Sequence, residues 1–314
     1  MRTNKSNSCR GIVVALKANF LIVEVDYKYS KGYSRNNFSE NIRLLCTRRR
    51  KLDYQGFLID VGDLVLVESI DYKNKRAVIS EVEPRKSFLK RPAVANVTLL
   101  AICISVNEPL FDSYQTSRFL ITAEYANIKP LIILTKIDLI NKNDLNSYIN
   151  KLKSWGYDSV PVSIKHVQGM DLLLERFKET SLTVLAGPSG VGKTSLINYL
   201  IPSLSLRTSA VSKKLKRGIH TTRHVELFAI GNGSLLADTP GFNRPEVVSD
   251  IYGFAALFPE FRAQLVHSQC KFRNCLHRDE PGCVITKDLE RYSFYRENLE
   301  EMINSHLPYQ GDSA

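Results

Sequence analysis

The stretch 187–195 constrains the fold of this chain more than any other. It reads Gly-Pro-Ser-Gly-Val-Gly-Lys-Thr-Ser and fits the pattern G-x-x-x-x-G-K-[ST], in which a glycine-rich turn holds phosphate groups. The apolar residues 182–186 before it predict a buried strand, and 194–200 after it predict a helix that ends near Pro202. A glycine-rich turn that matched by chance would not need these neighbours, so the order predicts a phosphate-binding loop.

The residue types in this loop suit an anionic ligand. Gly187 and Gly192 let backbone N–H groups approach phosphate oxygens, and the helix that follows presents its positive N-terminal end. Lys193 supplies a charge for the terminal phosphates, and the Thr194 hydroxyl is placed to ligate Mg²⁺. The predicted nucleotide-binding residues of the loop are Gly187, Pro188, Ser189, Gly190, Val191, Gly192, Lys193, Thr194 and Ser195.

Composition and charge narrow the class of protein. A formal net charge of +11 over 314 residues favours an acidic partner, with nucleic acid first and an anionic membrane surface second, although scattered surface lysines would give the same sum. No apolar run approaches the roughly 20 residues of a membrane span, and Arg2, Lys5 and Arg10 interrupt any secretory signal. Six cysteines, three of them clustered, favour a reducing compartment over a disulfide framework. We therefore expect a cytoplasmic protein with no membrane partner, and a short organelle presequence stays open.

The first third of the chain predicts a small all-β unit. Five short apolar segments are separated by turn signals, which is typical of a five-stranded barrel of the oligonucleotide-binding (OB) type; a small SH3-like barrel would show the same pattern. The predicted strands cover 11–16, 20–25, 42–46, 63–67 and 76–80.

Basic and aromatic residues alternate between the second and third of these strands, and a basic block, 48–51, follows the third. Cations neutralise phosphates and aromatic faces stack on exposed bases, so this pattern favours a surface for single-stranded RNA. A solvated basic loop with incidental tyrosines fits the residues equally well. The residues concerned are Tyr27, Lys28, Tyr29, Lys31, Tyr33, Arg35 and Phe38.

Beyond a predicted linker at 83–92, strands alternate with helices, which predicts a doubly wound parallel sheet with ligands at the carboxyl ends of its strands. The predicted strands cover 97–106, 131–134 and 159–162, and the predicted helices cover 117–125, 146–155 and 170–179. Further along, 224–230 and 234–237 flank Gly231-Asn232-Gly233 and predict a hairpin.

The hairpin ends in Asp238-Thr239-Pro240-Gly241. A carboxylate at a strand end, downstream of a phosphate loop, is the expected ligand of Mg²⁺, and Gly241 lets the backbone approach the γ-phosphate. Asp238 and Gly241 are therefore predicted to act with Lys193 and Thr194 in catalysis.

A second motif, Thr135-Lys136-Ile137-Asp138, ends the predicted strand 131–134. A carboxylate can accept hydrogen bonds from both the ring N–H and the exocyclic amine of guanine, whereas adenine presents an acceptor at that ring position. Together with the other two motifs, Thr135, Lys136 and Asp138 predict a site specific for guanine nucleotides.

These motifs resemble those of the Ras-like GTPases in a different order, with the guanine motif before the phosphate loop. That order, the barrel and the cysteine cluster resemble the RsgA family (also called YjeQ or EngC) of circularly permuted GTPases, and the likeness covers nearly the whole chain. It implies a switch threonine at Thr222, or at Thr221, completing Mg²⁺ coordination, and a base contact at Ser163. The stretch 258–261 resembles the segment that precedes the family's metal site.

Two positions depart from the usual GTPase pattern. Thr135 stands where the guanine motif has asparagine, so we expect the brace between base and phosphate loop to be lost and affinity to suffer. Phe242 stands where many GTPases have a water-orienting glutamine, a feature the family shares, which predicts slow intrinsic hydrolysis. His220 or a partner would then position the water; His220 could equally be a structural residue of the switch.

The last motif is a cysteine and histidine cluster, Cys270-x₄-Cys275-x-His277-x₅-Cys283. Three thiolates and one imidazole satisfy a tetrahedral Zn²⁺ with no open position, which predicts a structural site rather than a catalytic one. Lys271, Arg273, Arg278 and Lys287 surround it as a candidate phosphate-facing surface, and 288–305 predicts a closing helix.

The sequence therefore predicts an OB-type barrel over 1–88, a circularly permuted α/β GTPase domain over 89–247 and a mostly helical zinc module over 248–314. The family resemblance implies a monomeric GTPase with Mg²⁺ and one structural Zn²⁺, which binds the small ribosomal subunit and its rRNA late in maturation and is stimulated by it.

Two alternatives stay open. The loop also resembles that of guanylate kinase, which needs neither of the other nucleotide motifs nor a zinc cluster, and phosphate transfer to GMP would identify it. A non-enzymatic RNA-binding zinc protein with a vestigial nucleotide site is the other, and the intact Lys193, Thr194 and Asp238 argue against it.

Overall fold

The chain forms two compact units, each assembled from separated segments. The first comprises Met1–Leu100, Leu174–Leu185 and Thr194–Phe242, and the second Ala101–Leu173, Ala186–Lys193 and Asn243–Ala314. The structure is a computed structural model and describes residues 8–17, 20–25, 41–54, 56, 58–204, 225–238, 242 and 250–306.

A closed five-stranded barrel forms the start of the first unit. Its strands follow the order β1-β2-β3-β5-β4, and β4 pairs back onto β1. The pairing of β3 with β5 is parallel, as in the Greek-key path of an OB-type barrel, and the predicted barrel is confirmed. One side chain in two along these strands points inward, so Val13, Val23, Leu44 and Val65 are fully buried. The strands are β1 (Cys9–Lys17), β2 (Phe20–Val25), β3 (Ile42–Arg48), β4 (Leu64–Asp71) and β5 (Arg76–Val82), with helix α1 (Arg50–Tyr54) between β3 and β4.

The segment that follows the barrel is not the linker that the sequence predicted. Strands β6 (Phe88–Lys90) and β7 (Ala93–Ala95) form a small antiparallel hairpin. Val94 pairs with Val61, and both side chains are buried. The prolines and charged residues of this stretch suggested a linker. The hairpin instead packs against the barrel segment through Val94 and Val61, which are too far apart in sequence for local patterns to connect.

Three further strands belong to the first unit: β11 (Leu182–Ala186), β12 (Glu226–Gly231) and β13 (Ser234–Asp238). β12 and β13 form the predicted antiparallel hairpin, and β13 runs parallel to β11. β12 also pairs with barrel strand β1, at Ala15 opposite Glu226. The first unit therefore carries a continuous run of strands, β11-β13-β12-β1, that joins the hairpin to the barrel.

The second unit contains an α/β layer. Strands β8, β9 and β10 lie side by side, and β9 and β10 are parallel. β8 is buried along its whole length, as its unbroken apolar sequence predicts for a central strand. The elements are β8 (Leu99–Ser105), α2 (Ser113–Tyr125), β9 (Lys129–Thr135), α3 (Lys142–Ser154) and β10 (Ser159–Pro161). Helices α4 (Met170–Lys178) and α5 (Lys193–Leu200) follow in the chain, and most of their residues belong to the first unit.

Aromatic side chains hold the C-terminal part of the second unit. Helices α6 (Pro259–His267) and α7 (Tyr292–His306) pack against a short 3-10 turn, Phe254–Leu257, and against α2 through Ile121. None of the helices in the described part of the chain combines the length and the apolar character that crossing a bilayer requires.

The closing helix begins four residues later than predicted, at Tyr292 rather than at 288. The N–H of Tyr292 bonds the Leu289 carbonyl in a turn. Arg291, just before the helix, buries its guanidinium against both carboxylate oxygens of Glu260, at 2.7 and 2.5 Å. Helical periodicity could not predict this ion pair, because Glu260 lies on another helix, α6.

Candidate nucleotide site and metal cluster

The phosphate loop follows β11 and curls around its own lysine. The Nζ of Lys193 donates to the carbonyl oxygens of Gly187 and Pro188, both at 2.6 Å. Burial lowers the pKa of Lys193, because desolvation disfavours the charged ammonium. A phosphate beside the ammonium would offset that cost. A Cβ on Gly187 would lie 2.1 Å from the carbonyl oxygen of Cys103, and φ is +135° there, so the position requires glycine. The loop is thus a tight, positively charged turn suited to phosphate.

The guanine motif lies directly against this loop. Thr135, the last residue of β9, is 1% exposed, and its hydroxyl donates to the Val191 carbonyl at 2.7 Å and approaches the Ile104 carbonyl at 3.3 Å. The sequence predicted that threonine at this position would lose the contact between the guanine motif and the phosphate loop. That prediction is wrong, because the threonine hydroxyl bonds the loop backbone directly. Ile164 also adjoins the loop, since a Cβ on Gly192 would lie 3.9 Å from its Cδ1.

Asp138 and Ser163, the two residues predicted to contact the guanine base, are hydrogen-bonded to each other. Asp138 lies in a 3-10 turn, Ile137–Leu139, that follows β9. The buried hydroxyl of Ser163 donates to its Oδ1 at 2.6 Å and lowers the pKa of the carboxyl. Asp138 itself is exposed, so a ligand in solution can reach its carboxylate. Lys136, in left-handed backbone conformation at φ 59°, donates through Nζ to the Glu108 carbonyl.

Asp238 ends β13 in the first unit, at the carboxyl end that β13 shares with the parallel strand β11. Glu226 lies directly opposite it on β12, and residues paired in this way point to the same face of the sheet. Burial and the Glu226 carboxylate raise the pKa of Asp238. A half-buried carboxylate beside a second carboxylate suits a divalent cation with oxygen ligands such as Mg²⁺. Thr194 and Ser195 lie in the first turn of α5.

Several predicted site residues lie outside the described part of the chain. These are His220, Thr221, Thr222 and Gly241, together with the basic and aromatic residues between β2 and β3. Phe242, next to Gly241, is described and is 4% exposed. Its side chain is therefore buried.

Cys270, Cys275, His277 and Cys283 converge as the spacing predicted. Their ligand atoms lie within 4.8 Å of one another. The Nδ1 of His277 lies 3.5, 3.7 and 3.5 Å from the three sulfurs. Zinc about 2.3 Å from a thiolate and about 2.0 Å from an imidazole nitrogen would hold such atoms about 3.6 Å apart in a tetrahedron. The four residues therefore form a group that could hold a metal ion.

The surroundings of the cluster fix its loop. Glu280 accepts the backbone N–H groups of Leu276 and Arg278, at 3.0 and 2.7 Å. The hydroxyls of Tyr292 and Tyr295 donate to carbonyls of the same loop. Sequence reasoning missed these roles, although Glu280 lies within the cysteine spacing, where a carboxylate capping backbone N–H groups could have been expected.

Protonation in the cluster also fits a metal. Burial is the largest cause that raises the pKa of Cys275, to about 12, and burial lowers the pKa of His277. The imidazole is thus neutral and able to ligate, and the Cys275 thiol would ionise at neutral pH only beside a compensating cation.

The order and placement of these motifs define a class. A phosphate loop after a buried strand, a preceding guanine motif bonded to that loop and a barrel upstream are the marks of a circularly permuted GTP-binding protein. Residues 82–248 match the family model described as RsgA GTPase. The chain belongs to the RsgA GTPase family.

Known members of this family are similar to this chain over nearly its full length. A protein of Prochlorococcus marinus (strain NATL1A) named small ribosomal subunit biogenesis GTPase RsgA is 77% identical over 310 residues, 99% of each chain. The crystal structure of YjeQ from Thermotoga maritima is 29% identical with a TM-score of 0.75, covering 94% of this chain and 99% of that one. YloQ, described as a circularly permuted GTPase, is 27% identical with a TM-score of 0.77, covering 98% and 99%.

Proposed function

We propose that this chain hydrolyses GTP and acts in the biogenesis of the small ribosomal subunit. The observation that carries the proposal is the hydrogen bond from Thr135 to the carbonyl of Val191, which places the guanine motif against the phosphate loop. The name of the relative at 77% identity supplies the biological setting.

In this proposal the guanine base binds at Asp138, whose two carboxylate oxygens accept the two N–H groups of the base. The ammonium of Lys193 exchanges the carbonyls of Gly187 and Pro188 for the terminal phosphate oxygens. Phosphates are stronger acceptors than carbonyls, and the lysine gains charge compensation in a half-buried position. The same residue then stabilises the charge that develops as water attacks the γ-phosphate in line.

Mg²⁺ would be held by Thr194 and Asp238, and when bound it offsets negative charge on the β- and γ-phosphates. Thr222 or Thr221 would complete the set, Gly241 would meet the γ-phosphate, and His220 or a partner would orient the water. The burial of Phe242 suits the slow intrinsic rate expected of a site without a glutamine at that position.

Zn²⁺ is the metal we propose for Cys270, Cys275, His277 and Cys283. Three soft thiolates and an imidazole match its preferences, and four protein ligands leave no position for water or substrate. Its role would be to hold the loop on which the nearby basic residues stand.

Ribosomal RNA is the proposed acidic partner of this cytoplasmic, monomeric protein. The net charge of +11 supports it, as do exposed basic residues around the cluster such as Lys271 and Arg273. Lys287 contributes less than the sequence suggested, because it pairs with Asp279.

The test is GTP hydrolysis by the purified full-length protein, with and without small ribosomal subunits. Stimulation by the subunits, lost in Lys193→Ala, supports the proposal. Equal rates would leave a generic GTPase, phosphate transfer to GMP would identify a kinase, and absence of GTP binding would leave a vestigial site.

A further inference from the structure

Arg43, on barrel strand β3, is held in a fixed orientation by its own barrel. It lies directly opposite Glu24 of β2, and its Nε donates to Glu24 Oε2 at 3.1 Å. Glu24 is 8% exposed and also accepts from the amide of Asn41 at 2.9 Å. The buried carboxylate therefore fixes one edge of the guanidinium and leaves the other nitrogens to point away from the barrel.

Those other nitrogens contact the hairpin strand β12. Nη1 donates to Glu226 Oε1 at 3.0 Å, and Nη2 donates to the backbone carbonyl of Leu227 at 2.9 Å. The backbone of Glu226 also pairs with Ala15 of the barrel. One arginine thus joins the barrel to the side chain and the backbone at the start of β12.

Glu226 is in turn the neighbour of the proposed magnesium ligand. It lies opposite Asp238 in the β12–β13 pair, on the same face of the sheet. Two like charges in this arrangement repel each other, and each adds to the negative potential in which a divalent cation would bind. The guanidinium of Arg43 offsets the charge of one of them.

We propose that Arg43 is a positioning residue for the magnesium site: it pairs with Glu226 and thereby sets the negative charge beside Asp238. Through this contact the barrel would influence the charge at the magnesium site. The inference rests on the proposed function, because it requires Mg²⁺ at Asp238.

The proposal predicts opposite effects for the two members of the pair. Arg43→Gln leaves the charge of Glu226 unopposed, so Mg²⁺ should bind more tightly. Glu226→Gln removes that charge, so Mg²⁺ should bind more weakly. Each shift should be on the order of threefold, since the charges are half-exposed and partly screened. In the double variant the Arg43 substitution should have no further effect, because its target is gone.

The experiment measures binding of a fluorescent GDP analogue to the full chain while Mg²⁺ is titrated at fixed pH and ionic strength. Arg10→Gln is the matched control, since it removes one barrel arginine that pairs with Glu83 and not with a residue of β12. It should leave the magnesium midpoint at the wild-type value. Thermal unfolding of each variant reports whether the barrel is intact.

Opposite shifts with loss of the Arg43 effect in the Glu226→Gln background would support the proposal. Shifts of the same sign would overturn it, because they would show that the pair only holds the strands together. An Arg43 effect that persists in the double variant would also overturn it, because the charge would then act without Glu226. If the wild-type protein shows no magnesium-dependent binding at all, the proposed function fails instead.

Discussion

The metal cluster and the nucleotide site differ in how much of each the chain completes by itself. Cys270, Cys275, His277 and Cys283 bring four ligand atoms together, and Glu280 and two tyrosines fix the loop that carries them. The candidate nucleotide site presents a lysine bonded to its own loop and an exposed aspartate bonded to a serine. The cluster supplies all four protein ligands that a permanently bound metal ion needs. The nucleotide site is completed only when a nucleotide binds.

This difference suggests a division of work. A closed four-ligand site contributes to folding, because its metal binds the folded loop and not the unfolded one. A site whose ligand binds and dissociates contributes binding energy only while the nucleotide is present. Removing a cluster ligand should therefore affect stability and metal content, and removing a nucleotide-site group should affect affinity.

The largest effect should follow from Cys275→Ser. Loss of one thiolate leaves a three-ligand site, so bound zinc should fall from one ion per chain to nearly none. Because zinc binding to such sites contributes on the order of 10 kcal/mol in small domains, the C-terminal part of the second unit should lose its cooperative unfolding transition. Metal analysis by mass spectrometry and thermal unfolding measure these two effects.

Cys9→Ala is the control for that experiment, since Cys9 is a buried barrel cysteine outside the cluster. It should keep the zinc and lose only packing energy. If Cys275→Ser retained one zinc per chain and the wild-type unfolding profile, the cluster would not be the stabilising metal site that distinguishes it from the nucleotide site.

Asp138→Asn should have the next largest effect, on specificity. The amide keeps one acceptor and replaces the other with a donor, so one of two hydrogen bonds to guanine becomes a clash of donors. GTP affinity should fall about a hundredfold. Affinity for the xanthine nucleotide should rise, because xanthine has a carbonyl acceptor where guanine has its exocyclic amine. Calorimetric titration with both nucleotides measures the exchange.

Asp144→Asn, on the first turn of α3, is the matched control for the loss of one carboxylate. It should leave both affinities unchanged. Equal loss of both nucleotides in Asp138→Asn would show that the residue supports the fold of the site and does not select the base.

The sequence predicted the parts of the molecule whose determinants are local. The cluster ligands all fall within 270–283, and the strand, glycines and helix of the phosphate loop are adjacent in the chain. Apolar periodicity predicted β11 with the bounds that the structure has, Leu182–Ala186. The closed barrel followed from five segments at regular spacing.

Contacts between distant residues could not be predicted. Arg43 and Glu226 are separated by 183 positions and Glu260 and Arg291 by 31, and no periodicity joins either pair. The Thr135 brace was missed because the resemblance to other GTPases emphasised the missing asparagine. Only the backbone geometry shows that a hydroxyl from the end of β9 can reach the Val191 carbonyl.

That brace predicts a moderate effect for Thr135→Val. The substitution keeps the shape of the side chain and removes the donor, which leaves the buried carbonyls of Val191 and Ile104 without it. Losing such a bond costs about 1 kcal/mol or more, so nucleotide affinity should fall by about tenfold. Fluorescence titration with a labelled GDP measures it.

Thr135→Ser keeps the hydroxyl and is the control. It should retain most of the wild-type affinity. If Thr135→Val and Thr135→Ser bound equally well, the hydroxyl would have no part in setting the loop, and the guanine motif would act on the base alone.

The smallest effect should come from Ser163→Ala, and it should depend on pH. The hydrogen bond from Ser163 holds the pKa of Asp138 below its ordinary value, so the carboxylate stays ionised and able to accept from guanine as the pH falls. Removing the hydroxyl should return that pKa toward the ordinary value, and the acid loss of binding should then begin at a higher pH.

Because Asp138 is exposed, affinity at pH 7.5 should fall only about threefold in Ser163→Ala. Ser154→Ala, which removes an exposed hydroxyl bonded to the Lys151 carbonyl, is the control. GTP affinity measured from pH 4 to pH 8 separates two roles of Ser163. A rise of the acid midpoint shows that it tunes the carboxylate, whereas a uniform loss at every pH would show that it only shapes the turn beneath the base. In that second case Ser163 would act on Asp138 as Glu280 acts on the cluster loop. Both residues would fix the position of a backbone turn, and neither would change the ionisation of a group that contacts the ligand.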